Sequence, residues 1–183
     1  MVTPMPDLVI ADPPWSYYQS THTHQIGNHY STLTYEQIVH HEYWQHIDNI
    51  LFLWATCPKL DEAMNLGRDL GLAYRGVAFV WVKTRKDGQP LGAMGVRPSI
   101  VKPTTELVLA FSKRRKGRPL PVADETVRQV VMAPIGKHSQ KPEDIQDRID
   151  LLYPSTSKCE LFARRERDGW LCIGQSIEEA RRG

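Results

Sequence analysis

Short apolar runs alternate with helical patterns along the chain. Asp7-Leu-Val-Ile-Ala-Asp12 has an apolar centre and is stopped by Pro13-Pro14, which predicts a buried strand. Asn49–Trp54 and Val77–Val82 have the same character, and Glu106–Phe111, Val127–Met132, Ser157–Phe162 and Gly169–Ile173 read as further strands. Thr34-Tyr-Glu-Gln37 has capping-box spacing, so a helix is expected from there to about Trp44. A second helix is expected over Lys59–Leu70, closed by Gly71, and a third to Leu152 with Pro142 in its first turn. Residues 16–33 are polar, and residues 84–104 hold several Gly and Pro with little periodicity; both are expected to be mobile loops. Strands alternating with helices predict an α/β domain with a mostly parallel sheet. Ligands bind such sheets beyond the carboxyl ends of the strands, here just after Ala11, Trp54, Phe111 and Phe162.

A length of 183 residues predicts a single domain over 1–183. At 41% hydrophobic and 24% charged residues, the composition is that of an ordinary soluble globular protein. No apolar run reaches the ~18 residues of a membrane span, and the first residues lack the charged and apolar regions of a signal peptide. Cys57, Cys159 and Cys172 have no metal or disulfide-framework spacing, so a reducing, cytoplasmic setting is expected. The net charge of +2 hides an asymmetry. Residues 83–118 carry ten Lys/Arg against two Asp/Glu, the remainder thirteen against nineteen. A basic middle on an acidic body suits a face for a polyanion; a solvated basic loop would give the same count. Lys113-Arg-Arg-Lys116 with Arg118 reads either as a phosphate-gripping turn or as surface charge.

The most specific chemistry lies in Ala11-Asp12-Pro13-Pro14-Trp15, at the end of the first strand. An aromatic amine is a poor nucleophile because its lone pair is delocalised into the ring. A carboxylate at Asp12 and the backbone carbonyl of Pro13 can each accept one of its N–H bonds, turning the nitrogen toward a tetrahedral shape. Pro13 and Pro14 restrict the backbone that presents these acceptors. Trp15 offers a flat surface for an extruded base, or a core aromatic after a strand-ending turn.

The tetrapeptide Asp12–Trp15 matches the signature of amino-methyltransferases. With Val9–Trp15, Leu51–Trp54, Val80–Thr84, Lys141–Ile145, Cys159–Arg164, Gly169-Trp170 and Ile173-Gly-Gln175, in order and at similar spacing, the chain resembles the adenine N(6)-methyltransferases. These include the catalytic subunit of the eukaryotic mRNA adenosine methyltransferase and many bacterial and phage DNA enzymes. The resemblance implies a Rossmann-like methyltransferase fold, with helices on both faces of the sheet and a permuted motif order. The catalytic strand comes first, and the strand that usually begins the fold comes at Lys158–Phe162. It implies S-adenosylmethionine as methyl donor, adenine in a nucleic acid as substrate, and Asp12, Pro13, Pro14 and Trp15 as catalytic residues. Tyr30, Glu106 and Lys141 are implied on the substrate side. Asp12, Lys141, Arg164, Glu166 and Gln175 are implied around the cofactor. The usual Gly-rich turn is replaced by Ala163-Arg-Arg-Glu-Arg-Asp168, and Glu166-Arg167 stands where the mRNA enzyme has His-Asn.

No metal is expected: His22, His24, His29, His40, His41 and His46 have no zinc spacing, and a sulfonium methyl donor needs none. By analogy with compact bacterial and phage enzymes, a site-specific adenine DNA methyltransferase is favoured over an RNA enzyme. Homodimers and heteromeric partners both occur among such proteins. A non-catalytic, nucleic-acid-binding partner subunit is the alternative, against which the intact Asp12–Trp15 motif speaks. A methyltransferase for amines outside nucleic acid is less consistent with the basic segment.

Overall fold

The computed structural model describes residues 5–16, 32–92, 100–136 and 140–182. Seven strands form one sheet: β1 (Leu8–Ala11), β2 (Ile50–Thr56), β3 (Ala73–Thr84), β4 (Thr105–Ser112), β5 (Val130–Pro134), β6 (Lys158–Leu161) and β7 (Leu171–Ile173). Their order is β5-β3-β4-β2-β1-β6-β7. The β1–β2, β1–β6, β6–β7 and β3–β5 pairs are parallel; β4 runs antiparallel to both β2 and β3. This is the mostly parallel Rossmann-like α/β sheet expected, with the first strand of the chain in its interior between β2 and β6.

Alternation along the strands splits the core in two. Leu8 and Ile10 of β1 face one cluster, and Val9 and Ala11 face the other, all at most 2% exposed. The first cluster is covered by Ile145 and Ile149 of helix α3 (Glu143–Leu152) and Ile177 of helix α4 (Gln175–Arg182). The second is covered by Ile38 of helix α1 (Tyr35–Val39), Ala63 and Leu66 of helix α2 (Leu60–Asp69), and Tyr43 and Trp44. Helices therefore lie on both faces. A strand buried on both sides is mostly apolar, which is why Leu8–Ala11 reads as a continuous run.

Four local expectations are corrected. The helix expected to reach about Trp44 stops at Val39. Its Thr34 capping box is complete, but His41 then starts a separate 3-10 turn over Glu42–His46, its Nδ1 accepting the Tyr43 backbone N–H at 3.3 Å. The strand expected over Val127–Met132 lies at Val130–Pro134, where pairing with Val80–Thr84 buries Val131 and Ala133. Pro142 is the N-cap of α3, with extended ψ of 138°, so the first turn begins at Glu143. α4 was not expected at all: Ile177 is its one core contact at 5% exposure, and a single apolar anchor makes no periodic signal.

Of the loops expected over 16–33 and 84–104, residues 17–31 and 93–99 lie outside the described residues. The start of the second is ordered by pairing: Arg85 N–H donates to Gln89 O at 2.9 Å, and Leu91 N–H to Lys83 O at 3.0 Å. Among the described residues, no helix is long and apolar enough to cross a membrane.

One glycine holds the site edge together. Ala163 N–H donates to Ile173 O at 2.9 Å, and a Cβ on Gly174 would stand 2.1 Å from the Ala163 carbonyl oxygen. Backbone cannot yield as a side chain does. Gly174→Ala is expected to cost about 2 kcal/mol or more, the upper range for overpacking, read as a lowered midpoint in thermal unfolding.

Candidate active site

All strands except β4 point the same way, so their carboxyl ends share one edge. Asp12 follows β1 there, Phe162 follows β6, and Gly174 follows β7. Because β4 is antiparallel, it brings its beginning to this edge: Glu106 pairs in register with Thr56 at the end of β2 and with Trp81 of β3. The expectation that the site lies just after Phe111 is corrected accordingly, since that end of β4 lies at the opposite edge.

Two lysines and two carboxylates converge at the site edge. Lys141 Nζ lies 2.8 Å from Glu106 Oε2 and 3.4 Å from Asp12 Oδ2. Lys83 Nζ holds the other Glu106 oxygen at 2.7 Å. Each ammonium also lies over a buried indole, Lys141 at 5.2 Å from the Trp54 centroid and Lys83 at 5.1 Å from that of Trp81. Such contacts favour the charged amine. The two indoles meet edge to face at 6.3 Å, and Trp81 Nε1–H donates to Ala133 O at 2.9 Å.

The cluster separates its two carboxyls. Burial pushes the Asp12 carboxyl above its ordinary range, and the pull of Lys141 does not offset it. Burial acts in the same direction on Glu106, but Lys141 and Lys83 together outweigh it and hold that carboxyl below the usual range. Burial opposes charge on Lys141, yet Asp12 and Glu106 raise its affinity for the proton overall. Glu106 is therefore the fixed counter-ion, and Asp12 is the acceptor whose charge is easier to neutralise.

Beside Asp12 opens a cavity of about 300 Å³, the lower end of the size for small-ligand sites. Asp12, Pro14, His41, Phe162, Arg164 and Gln175 are among its lining residues. The cavity brings together Asp12, Arg164 and Gln175 from the expected cofactor set, and the charge of Arg164 acts on Asp12. Lys141 contacts Asp12 at 3.4 Å but is not among the lining residues. Glu166 is not part of the lining: it accepts two bonds from Arg181 of α4, at 2.7 and 3.1 Å. Its neighbour Arg167 is bound to Asp147 and Asp150, at 2.7 and 2.8 Å, and lies over Trp170.

The Asp12–Trp15 segment is tightly constrained. Pro13 O accepts the Trp15 N–H at 2.8 Å, closing a turn around Pro14, and retains a second lone pair. Pro14 O accepts the Leu33 N–H at 2.9 Å. Trp15 is 5% exposed and packs in the core with Ile38 and Leu53. Tyr30 lies outside the described residues, as do His22, His24 and His29. Glu106 and Lys141 stand together beside Asp12, as their assignment to one site requires.

The basic segment is not one face. Lys83 and Arg85 lie at the site edge, whereas Lys113–Arg118 leave β4 at the other, about 24 Å away for eight residues of strand. There Lys113 pairs with Asp48 at 3.6 Å and Arg118 with Glu125 at 2.5 Å, while Arg75 donates to Arg115 O at 2.7 Å. The charge count over 83–118, which left a polyanion face and a solvated basic loop both open, is divided by the direction of β4 between two edges of the sheet, with Arg97 outside the described residues.

Sequence reading missed Lys83, His41, Tyr43 and Phe162 as site residues. Lys83 was visible only as part of the Val80–Thr84 motif and the basic segment, and Phe162 only as the last residue of an expected strand. His41 carried no signal beyond its place in a His-rich stretch.

Known proteins resemble this chain along most of its length. The MT-A70 family model matches residues 6–176. Among curated proteins, the type II methyltransferase M.MunI of Mycoplasma sp is 36% identical over 133 residues, covering 72% of this chain and 52% of the relative. The N(6)-adenosine-methyltransferase catalytic subunit METTL3 of Homo sapiens is 30% identical over 183 residues, covering 93% of this chain and 28% of the relative. A probable N(6)-adenosine-methyltransferase MT-A70-like protein of Oryza sativa subsp. japonica is 29% identical, covering 95% and 23%. The chain thus spans about half the length of the first relative and about a quarter of the others. With the match running from the start of β1 into α4, and with Asp12-Pro-Pro-Trp15 at the site edge, this chain belongs to the MT-A70 family.

Proposed function

We propose that this protein transfers a methyl group from S-adenosylmethionine to the 6-amino group of adenine in DNA. The observation that carries the reading is Asp12, held by Lys141 at the end of β1, beside a cavity lined by Arg164 and Gln175. The cavity suits the cofactor: an aromatic wall of His41 and Phe162 matches a purine, and the polar end at Asp12, Arg164 and Gln175 matches ribose hydroxyls and an amino-acid group. When bound, the cofactor supplies a methyl group made electrophilic by its sulfonium.

The chain's own residues prepare the amine. Asp12 carboxylate accepts one N–H of the target amine, and the free lone pair of Pro13 O accepts the other. Lys141 aims Asp12, and Glu106 keeps Lys141 charged and in place. Tyr30 and Glu106 hold the base, which is extruded or single-stranded when it enters. These acceptors are in position before the base arrives, so little reorganisation accompanies reaction. After attack the nitrogen carries an extra proton and releases it without a strong base.

Similarity to a type II methyltransferase at 36% identity supports DNA over RNA. The test is transfer of label from S-adenosylmethionine to matched single- and double-stranded DNA and RNA. Label at adenine N6 in DNA is the expected outcome. Label in RNA alone would replace the substrate, and no label on any of them from a chain that binds cofactor would favour a partner subunit.

A further inference from the structure

His41 has no place in the methyl-transfer chemistry, yet it stands at the mouth of the 3-10 turn with its ring on the cavity. Its centroid lies 4.2 Å from that of Tyr43 and 4.9 Å, edge to face, from that of Phe162. Its protonation pattern follows from one bond. Nδ1 accepts the Tyr43 backbone N–H at 3.3 Å, so the hydrogen of the neutral ring sits on Nε2. Nε2 has no hydrogen-bond partner among the described residues.

Phe162 shows a second sign of purpose. Its φ of 60° is the one positive value at a non-glycine residue among those described, and for a bulky aromatic it is an outlier. The kink turns its ring toward His41, Tyr43 and Trp44, with centroids at 4.9, 5.2 and 5.5 Å. The Tyr43 hydroxyl is tied back to Glu178 of α4 at 3.0 Å, so three elements fix this wall. Elsewhere the lining is polar or aliphatic, with Asp12, Arg164, Gln175 and Glu179.

We infer that neutral His41, backed by Phe162, is the specificity residue for the cofactor's purine, donating its Nε2–H to a ring nitrogen, and that protonating His41 weakens cofactor binding. This rests on the cofactor reading above. Protonation would place a hydrogen on Nδ1 against the Tyr43 N–H, breaking the bond that orients the ring. Burial favours the neutral ring, against the opposing pull of Glu42 on its own turn and Glu178 on α4. Asp12, Arg164 and Glu179 are the other charged groups on the cavity.

The test is calorimetric titration with S-adenosylhomocysteine from pH 5.5 to 8.0, on wild type, His41→Phe and His41→Ala, with thermal melts to verify folding. Wild-type affinity is expected to be level above about pH 7 and to fall on the acid side, by at most about tenfold per pH unit for one linked proton. His41→Phe retains an aromatic wall and is expected to lose that acid limb, which separates His41 from Asp12, Glu178 and Glu179. His41→Ala is expected to bind about tenfold more weakly even at pH 8, the loss of one hydrogen bond and a ring contact. Parallel pH profiles for wild type and His41→Phe, or wild-type affinity in His41→Ala, would overturn the inference and leave the cofactor reading intact. A folded wild type that binds no S-adenosylhomocysteine at any pH would overturn both.

Discussion

Asp12→Ala is expected to slow methyl transfer by a factor of about 10²–10³ or more, the scale for losing one preorganised polar group at a reacting centre. The variant loses the carboxylate acceptor and leaves the amine with only the Pro13 carbonyl. It should fold. Burial makes the Asp12 charge costly, so removing the carboxyl relieves that cost. Lys141 keeps Glu106 at 2.8 Å and is not stranded. Affinity for S-adenosylhomocysteine should fall far less than the rate, because Arg164 and Gln175 remain on the cavity. Single-turnover transfer and calorimetric binding on the same preparation separate the two effects. The mechanism fails if Asp12→Ala transfers within about threefold of wild type. A pH dependence follows in the wild type. The carboxyl of Asp12 is held above its ordinary range, and its ionised form is the stronger acceptor for the amine N–H. The rate should therefore fall on acidification at a higher pH than an ordinary aspartate would give.

Lys141→Met is the second large effect, expected to reduce both transfer and stability. The substitution keeps an unbranched side chain but removes the cation between Asp12 and Glu106, leaving Lys83 on one Glu106 oxygen. Removing one partner of a buried ion pair costs roughly 3–5 kcal/mol. Here the Lys141 side chain is 19% exposed and Asp12 protonates readily, so about 2–3 kcal/mol at pH 8 is the discounted expectation. The pH dependence has a definite sign. In wild type, Glu106 is held below its unfolded value. It therefore contributes stability above that unfolded value, lost as pH falls through the folded one. Without Lys141, the folded values of both carboxyls rise, so acidification costs the variant less stability than it costs wild type. The deficit against wild type should be largest near pH 8 and shrink toward pH 5 in thermal unfolding. An equal deficit at both ends would mean that Lys141 acts through packing instead of charge.

The short runs Leu8–Ala11 and Ile50–Trp54 specify buried strands by themselves, because a strand covered on both faces carries few polar residues. The Thr34 capping box and the Asp12-Pro-Pro-Trp15 turn are equally local, each depending on bonds within a few residues. From these, the α/β class and the family were legible, and Asp12 stood out as the candidate to test. The direction of β4 was not, since a strand reads the same whichever way it runs. That direction carries Glu106 to the site edge and takes Lys113–Arg118 away from it. The Lys83–Glu106–Lys141–Asp12 cluster joins four separate segments, and its charge balance exists only when burial brings them within hydrogen-bonding distance. His41 and Phe162 are likewise far apart in the chain and meet at one cavity wall. Local sequence determined which residues are stiff, apolar or reactive. Tertiary structure alone decided which of them share a low-dielectric space, because Coulomb attraction and ring contacts depend on distance in space and not along the chain.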